Sequence, residues 1–89
     1  MLRITPVSQT EREAVLKVEG RIAGDDVALL ELEIRTRLDQ VQRLVLDFQG
    51  LKHIDRHGVE LLKRWSGERI ELRDSSVFVK TLLATHGLG

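Results

Sequence analysis

Four side chains capable of acid–base chemistry lie in the middle of the chain. Asp47, His53, Asp55 and His57 are close in sequence, and converging carboxylates and imidazoles can transfer protons or bind a small ligand. A zinc site needs three or four well-placed ligands, and only two histidines and nearby aspartates are available here, on a loop and a helix start. The chain also has no cysteine, no glycine-rich phosphate loop and no Ser–His pair at informative spacing. We therefore predict no catalytic residue, no metal and no cofactor, and keep a ligand-binding or enzymatic site on these four residues as the alternative.

The pattern around the two aspartates favours a structural role for both. Leu44-Val45-Leu46 is a short apolar run that Asp47 ends, as expected for a central strand covered on both faces. Asp55 precedes a helix predicted from Arg56 to about Ser66-Gly67, and its carboxylate can cap the free N–H groups there. The simpler interpretation is therefore that Asp47 ends a strand and that Asp55 caps a helix.

The rest of the chain predicts two strands at the start, then helices alternating with strands. Leu2 and Ile4 alternate with polar residues, and residues 14–19 form a second strand that Gly20 ends. The next helix, capped by Asp25 or Asp26, carries one apolar stripe that Leu29 and Leu32 widen. The stripe consists of Val27, Leu30, Ile34, Leu38 and Val41.

A fourth strand at residues 69–72 and a last helix complete the predicted order. Asp74, Ser75 or Ser76 can cap that helix, and Gly87 can stop it. The order is β-β-α-β-α-β-α, which predicts an α/β fold with a mixed four-stranded sheet and helices packed against it. We expect residues 1–89 to form a single domain.

Composition argues against several kinds of partner. The 89 residues hold 14 basic and 14 acidic side chains, for a formal net charge of zero, whereas nucleic-acid-binding domains usually have a basic surface. No apolar run approaches the roughly 18 residues of a membrane span. We therefore expect neither nucleic-acid binding nor membrane insertion. The absence of cysteine suits a reducing cytoplasm.

Four segments, in this order, resemble the STAS domain family, which includes bacterial anti-sigma-factor antagonists and the tails of sulfate transporters. The segment from Val18 to Ile22 resembles the end of the family's second strand and the turn after it, and the segment from Leu44 to Phe48 resembles its central strand. The segment from Ile54 to Gly58 resembles its Asp-Ser-Ser/Thr-Gly loop, and the segment from Leu72 to Leu88 resembles its last strand, loop and helix. The individual motifs are degenerate, so their order and spacing carry the resemblance.

The resemblance implies a non-catalytic regulatory module that binds a protein partner. That partner would be an anti-sigma or kinase-like regulator or, alternatively, a transporter component. The expected partner-binding loop consists of Lys52, His53, Asp55, Arg56, His57 and Gly58. In regulatory members the residue after the loop Asp is a Ser or Thr that becomes phosphorylated, but here it is Arg56. We expect no phosphorylation at this position, and Arg56 is either a contact for an anionic partner group or a solvated surface residue.

The chain stops where the family usually adds a final strand and often another helix. The resemblance therefore implies a minimal or truncated member with one sheet edge uncovered. An uncovered edge invites pairing with another chain, so we expect a homodimer or a stable complex, located in the cytoplasm. An assembly subunit built on that edge is a further alternative.

Overall fold

A long second strand organises the sheet of this protein. The computed structural model describes residues 1–65, 67, 69–73 and 77–85. Within these residues the elements are β1 (Leu2–Gln9), β2 (Glu13–Ile22), α1 (Asp26–Leu38), β3 (Arg43–Asp47), β4 (Leu51–Ile54), α2 (Arg56–Trp65), β5 (Ile70–Arg73) and α3 (Val77–Thr85). The predicted α/β class with a mixed sheet is confirmed.

β2 pairs with three of the other four described strands. It pairs antiparallel with β1, parallel with β3 along its first half, and parallel with β4 along its second half. β5 pairs parallel with β3. Glu13 lies opposite Arg43 at the start of β2, and Ile22 lies opposite Ile54 at its end. The β4–α2 connection is thereby held beside the turn that leads from β2 into α1.

The hydrophobic core packs α1 and α2 against the sheet. Alternate residues of β2 are fully buried, as are Leu30 and Ile34 of α1. Leu44, Val45 and Leu46 of β3 are all buried, which confirms the central strand expected from their continuous apolar run. The buried β2 residues are Ala14, Leu16, Val18 and Ile22.

The predicted count of four strands is wrong, because the described part of the sheet has five. The additional strand is β4, so Lys52 and His53 lie in a strand and not in a loop. Asp47 Oδ1 accepts a hydrogen bond from the Gln49 N–H at 2.9 Å. This Asx turn separates β3 from β4, which then pairs with β2. The β4 sequence Leu51-Lys52-His53-Ile54 neither alternates apolar with polar residues nor forms a continuous apolar run, so it shows no strand pattern.

Two details of α1 also differ from the prediction. Leu29 and Leu32 are 57% and 62% exposed, so they do not widen the packed stripe. Asp25 occupies the N-cap position but makes no side-chain capping hydrogen bond. The predicted caps at Asp74, Ser75 and Ser76, and the predicted stop at Gly87, lie outside the described residues.

Candidate partner-binding site

Asp55 connects the starts of two helices. Its Oδ1 accepts a hydrogen bond from the Gly58 N–H at 2.8 Å, and its Oδ2 accepts one from the Gly24 N–H at 3.1 Å. The first bond is the N-cap interaction predicted for α2. The second reaches the turn before α1, and the Asp55 N–H donates to the Ile22 carbonyl at 2.9 Å. The β4–α2 connection and the β2–α1 turn therefore form one hydrogen-bonded unit.

These hydrogen bonds hold the pKa of Asp55 below its ordinary value. The Gly58 N–H is the largest cause of the lowering, partial burial opposes it, and the Gly24 N–H adds to it. Positive charge on His57 or His53 lowers the pKa further. The carboxylate is therefore ionised at neutral pH, as its two backbone partners require.

Gly58 lets α2 approach the ends of β2 and β4. A Cβ atom at this position would lie 2.7 Å from Ile54 Cγ1 and 2.9 Å from Ile22 Cγ2. Both isoleucines are buried, so neither side chain can turn out into solvent. The glycine of the loop motif is thus required by close packing in the first turn of α2.

Arg56 points into solvent at the first residue of α2. Its side chain is 81% exposed, and its Nε lies 3.4 Å from Glu60 Oε1 on the next turn. An exposed pair at this spacing contributes only about 0.3–0.5 kcal/mol. The guanidinium is therefore available to another molecule at little cost in stability.

The remaining predicted loop residues surround this point. Lys52 is exposed in β4, and His53 is half-buried there, opposite Arg21 of β2. His57 is exposed in the first turn of α2. The structure thus gathers Lys52, His53, Asp55, Arg56, His57 and Gly58 around the β4–α2 junction.

Asp47 does not join that group. It lies opposite Lys17 of β2, whereas Asp55 bonds to Ile22, five residues further along the same strand. Five strand residues span about 16 Å, so the two carboxylates do not converge on one substrate. Among the described residues, no group of three or more His, Cys, Asp or Glu side chains could hold a metal ion. No helix of the described residues is long and apolar enough to cross a membrane.

Sequence reasoning missed two parts of this region. The partnership of Gly24 with Asp55 depends on tertiary structure, and no local pattern marks it. The second part is a groove between α1 and α2, lined by Val27, His57, Glu60, Lys63 and Arg64. The exposed face of the second helix was itself expected to contact the partner, whereas the contribution of Val27 depends on how α1 packs beside α2 and has no local signal.

Comparison with known proteins agrees with this architecture. The family model described as "Mlab, STAS domain" matches residues 5–89. A solved structure of the anti-sigma factor antagonist SpoIIAA in its unphosphorylated form superposes with a TM-score of 0.79 and 23% identity, over 98% of this chain and 83% of that one. An anti-sigma-factor antagonist STAS domain from Rhodobacter sphaeroides gives a TM-score of 0.63 and 20% identity, over 85% of this chain and 92% of that one.

At these identities the structural matches show a shared fold, whereas the family match spans nearly the whole chain. No curated protein matches the sequence. The connection of β4 to α2, which contains Asp55, Arg56 and Gly58, is the segment predicted from the sequence to correspond to the family's loop. The chain belongs to the STAS domain family.

Proposed function

We propose that this chain is a single, non-catalytic STAS domain that binds a protein partner through the β4–α2 connection and the exposed face of α2. The observation that carries the proposal is the position of Arg56. Its side chain is 81% exposed at the start of α2, on a connection that Asp55 fixes through two backbone hydrogen bonds. An exposed guanidinium on a hydrogen-bonded connection can bind a partner carboxylate or phosphate in bidentate fashion.

Regulation by phosphorylation of this loop position is absent in the proposed function. A guanidinium cannot accept a phosphoryl group, and residues 53–60 contain no Ser, Thr or Tyr. Phosphorylation would add a charge of about −1.5 to −2 beside the partner, whereas Arg56 adds a permanent positive charge. The chain would therefore bind its partner without this switch.

The likeness in fold to two anti-sigma-factor antagonists supports an anti-sigma or kinase-like regulator as the partner. A transporter component is the second candidate, and Arg56 favours it, because a permanent subunit of an assembly needs no reversible switch. Both partners place the chain in the cytoplasm. An enzymatic or ligand site on Asp47, His53, Asp55 and His57 is disfavoured by the separation of Asp47 from the other three.

The proposal also includes a homodimer or a stable complex. β5 lies at one end of the strand order and, among the described strands, pairs only with β3. An open strand edge can pair with a second chain. Light scattering that shows a monomer at all concentrations would contradict a homodimer.

Co-purification tests the function. The tagged chain would be co-expressed with each kinase-like regulator or transporter component encoded beside its gene. We expect one of them to co-purify in a fixed ratio and to be lost from the Arg56→Glu variant. The matched variant Lys80→Glu changes the same charge on α3 and should retain the partner. Equal retention by both variants would overturn the proposed surface.

A further inference from the structure

The exposed face of α2 is basic, although the whole chain is neutral. The five exposed residues of this helix are Arg56, His57, Glu60, Lys63 and Arg64. They recur at helical spacing on one side, and the buried residues, Gly58, Val59, Leu61 and Leu62, lie on the other. Three cations and one imidazole thus face solvent with one carboxylate. We call Arg56, His57, Lys63 and Arg64 the basic face of α2.

The carboxylates beside this face already have partners. Glu60 Oε1 lies 3.4 Å from Arg56 Nε. Glu31 of α1 accepts a hydrogen bond from Trp65 Nε1 at 3.3 Å and lies 3.5 Å from Arg64 Nη2. The Arg64 side chain is still 65% exposed, and a guanidinium has five N–H donors. Donors on Arg56 and Arg64 therefore remain accessible to another molecule.

The groove beside the basic face adds an apolar contact. Val27, near the start of α1, is half-buried and lines the groove together with His57, Lys63 and Arg64. A partner segment lying along this groove could bury an apolar side chain against Val27 while it places carboxylates beside the cations. Such a combination resembles an amphipathic segment recognised in a groove.

We propose that the basic face of α2 docks an acidic, amphipathic segment of a protein partner, an inference that rests on the function proposed above. Charge complementarity identifies the occupant. The cations lie on a helix of ten residues, which is about 15 Å long. The neighbouring helix α1 carries three carboxylates, Asp26, Glu31 and Glu33, against two guanidinium groups. These carboxylates confine the positive charge to the α2 side of the groove, so a short segment whose carboxylates face α2 fits better than a long polyanion.

Two synthetic peptides of about 16 residues, long enough to form a helix, provide the probe. The first carries leucine along one helical face and glutamate along the opposite face. The second carries lysine in place of each glutamate. Each is titrated into the full ¹⁵N-labelled chain at low and at physiological salt, and amide shifts and affinities are measured. We expect the acidic peptide to shift amides at Val27 and residues 56–65, and to bind at least about tenfold tighter than the basic peptide. Its affinity should fall as salt rises.

Variants then locate the contact. Lys63→Glu with Arg64→Glu should weaken binding of the acidic peptide at least about tenfold. The control, Arg35→Glu with Lys80→Glu, makes the same change in net charge away from the groove and should weaken it less than about threefold. Circular dichroism melting curves establish that both double variants are folded.

Three results would overturn the inference. They are equal weakening by both double variants, amide shifts confined to other surfaces, and tighter binding of single-stranded DNA or anionic phospholipid vesicles to the same residues. The proposed function fails separately. If the co-purified partner binds both double variants equally but is lost with Arg56→Glu, the acidic segment is wrong and the interaction surface stands.

Discussion

Asp55 and Gly24 lie 31 residues apart in the chain, yet Asp55 Oδ2 accepts a hydrogen bond from the Gly24 N–H at 3.1 Å. The same carboxylate caps α2 through Gly58. One side chain therefore fixes the turn before α1 relative to the start of α2, and the proposed partner surface spans both helices. We regard Asp55 as a positioning residue for that surface.

Replacing Asp55 tests this role. Asp55→Ala removes a capping bond, worth about 0.5–2 kcal/mol, and a second backbone bond, worth about 0.5–1.5 kcal/mol. We expect the free energy of unfolding to fall by about 1–3 kcal/mol, as measured by urea denaturation. Asp25→Ala is the matched control, because Asp25 occupies the N-cap of α1 without a side-chain hydrogen bond. Equal losses in the two variants would contradict the role assigned to Asp55.

The pH dependence of stability follows from the lowered pKa of Asp55. A carboxyl whose folded-state pKa is depressed stabilises the fold above its unfolded pKa of about 3.9, and this stabilisation is lost as pH falls through the folded value. The stability difference between the wild type and Asp55→Asn should therefore be constant from pH 5 to 7 and shrink below about pH 4. Urea titrations across that range measure it, and a constant difference down to pH 2 would exclude the mechanism.

The sequence predicted local features of this region better than its long-range ones. The strand through Leu46 was predictable from its apolar run, and the capping of α2 by Asp55 from its position before the helix; both are confirmed. The bond to Gly24 was not predictable, because it depends on how β2 places two distant turns. Leu29 and Leu32 were expected to pack, but the buried arc of α1 is narrow and contains only Leu30 and Ile34.

Gly58 should tolerate no side chain. Gly58→Ala gains helix propensity of up to about 1 kcal/mol, but its Cβ would lie 2.7 Å from Ile54 Cγ1, and overpacking costs typically about 1–3 kcal/mol. We therefore expect the free energy of unfolding of the variant to fall by about 1–2 kcal/mol, as measured by thermal denaturation.

Gly50→Ala is the control for that variant. A Cβ at Gly50 would meet the Glu19 side chain at 2.8 Å, but Glu19 is half-exposed and can rotate away. We expect a change within about 0.5 kcal/mol. A Gly58→Ala variant as stable as Gly50→Ala would show that α2 packs less closely than described.

Arg69 should hold the end of α1 against the sheet. Its Nη2 donates to the Leu38 carbonyl at 2.6 Å and to the Val41 carbonyl at 2.9 Å, and its Nε donates to the Gln42 carbonyl at 3.1 Å. We expect Arg69→Ala to lower the free energy of unfolding by about 1–2 kcal/mol, as measured by urea denaturation. Arg69→Lys should recover only part of this, because an ammonium cannot reproduce the planar fork. Full recovery by lysine would show that charge alone matters.

Incubation with a kinase-like regulator and ATP tests the absence of the loop switch. We expect mass spectrometry to find no phosphate within residues 53–60, because this segment has no hydroxyl side chain. Arg56→Ser restores a hydroxyl on the same support and is the positive control. Phosphate on a histidine or any other residue of the segment in the wild type would contradict the prediction.

Calorimetric titration of the co-purified partner with Arg56→Glu tests the proposed surface most directly. Reversing the charge of an exposed side chain should change the stability of the fold by only about 0.5 kcal/mol. If Arg56 contacts an anionic group of the partner, its affinity should fall at least about tenfold, whereas Lys80→Glu should leave it unchanged. If Arg56→Glu binds the partner as tightly as the wild type does, this result would contradict a partner surface at the start of α2.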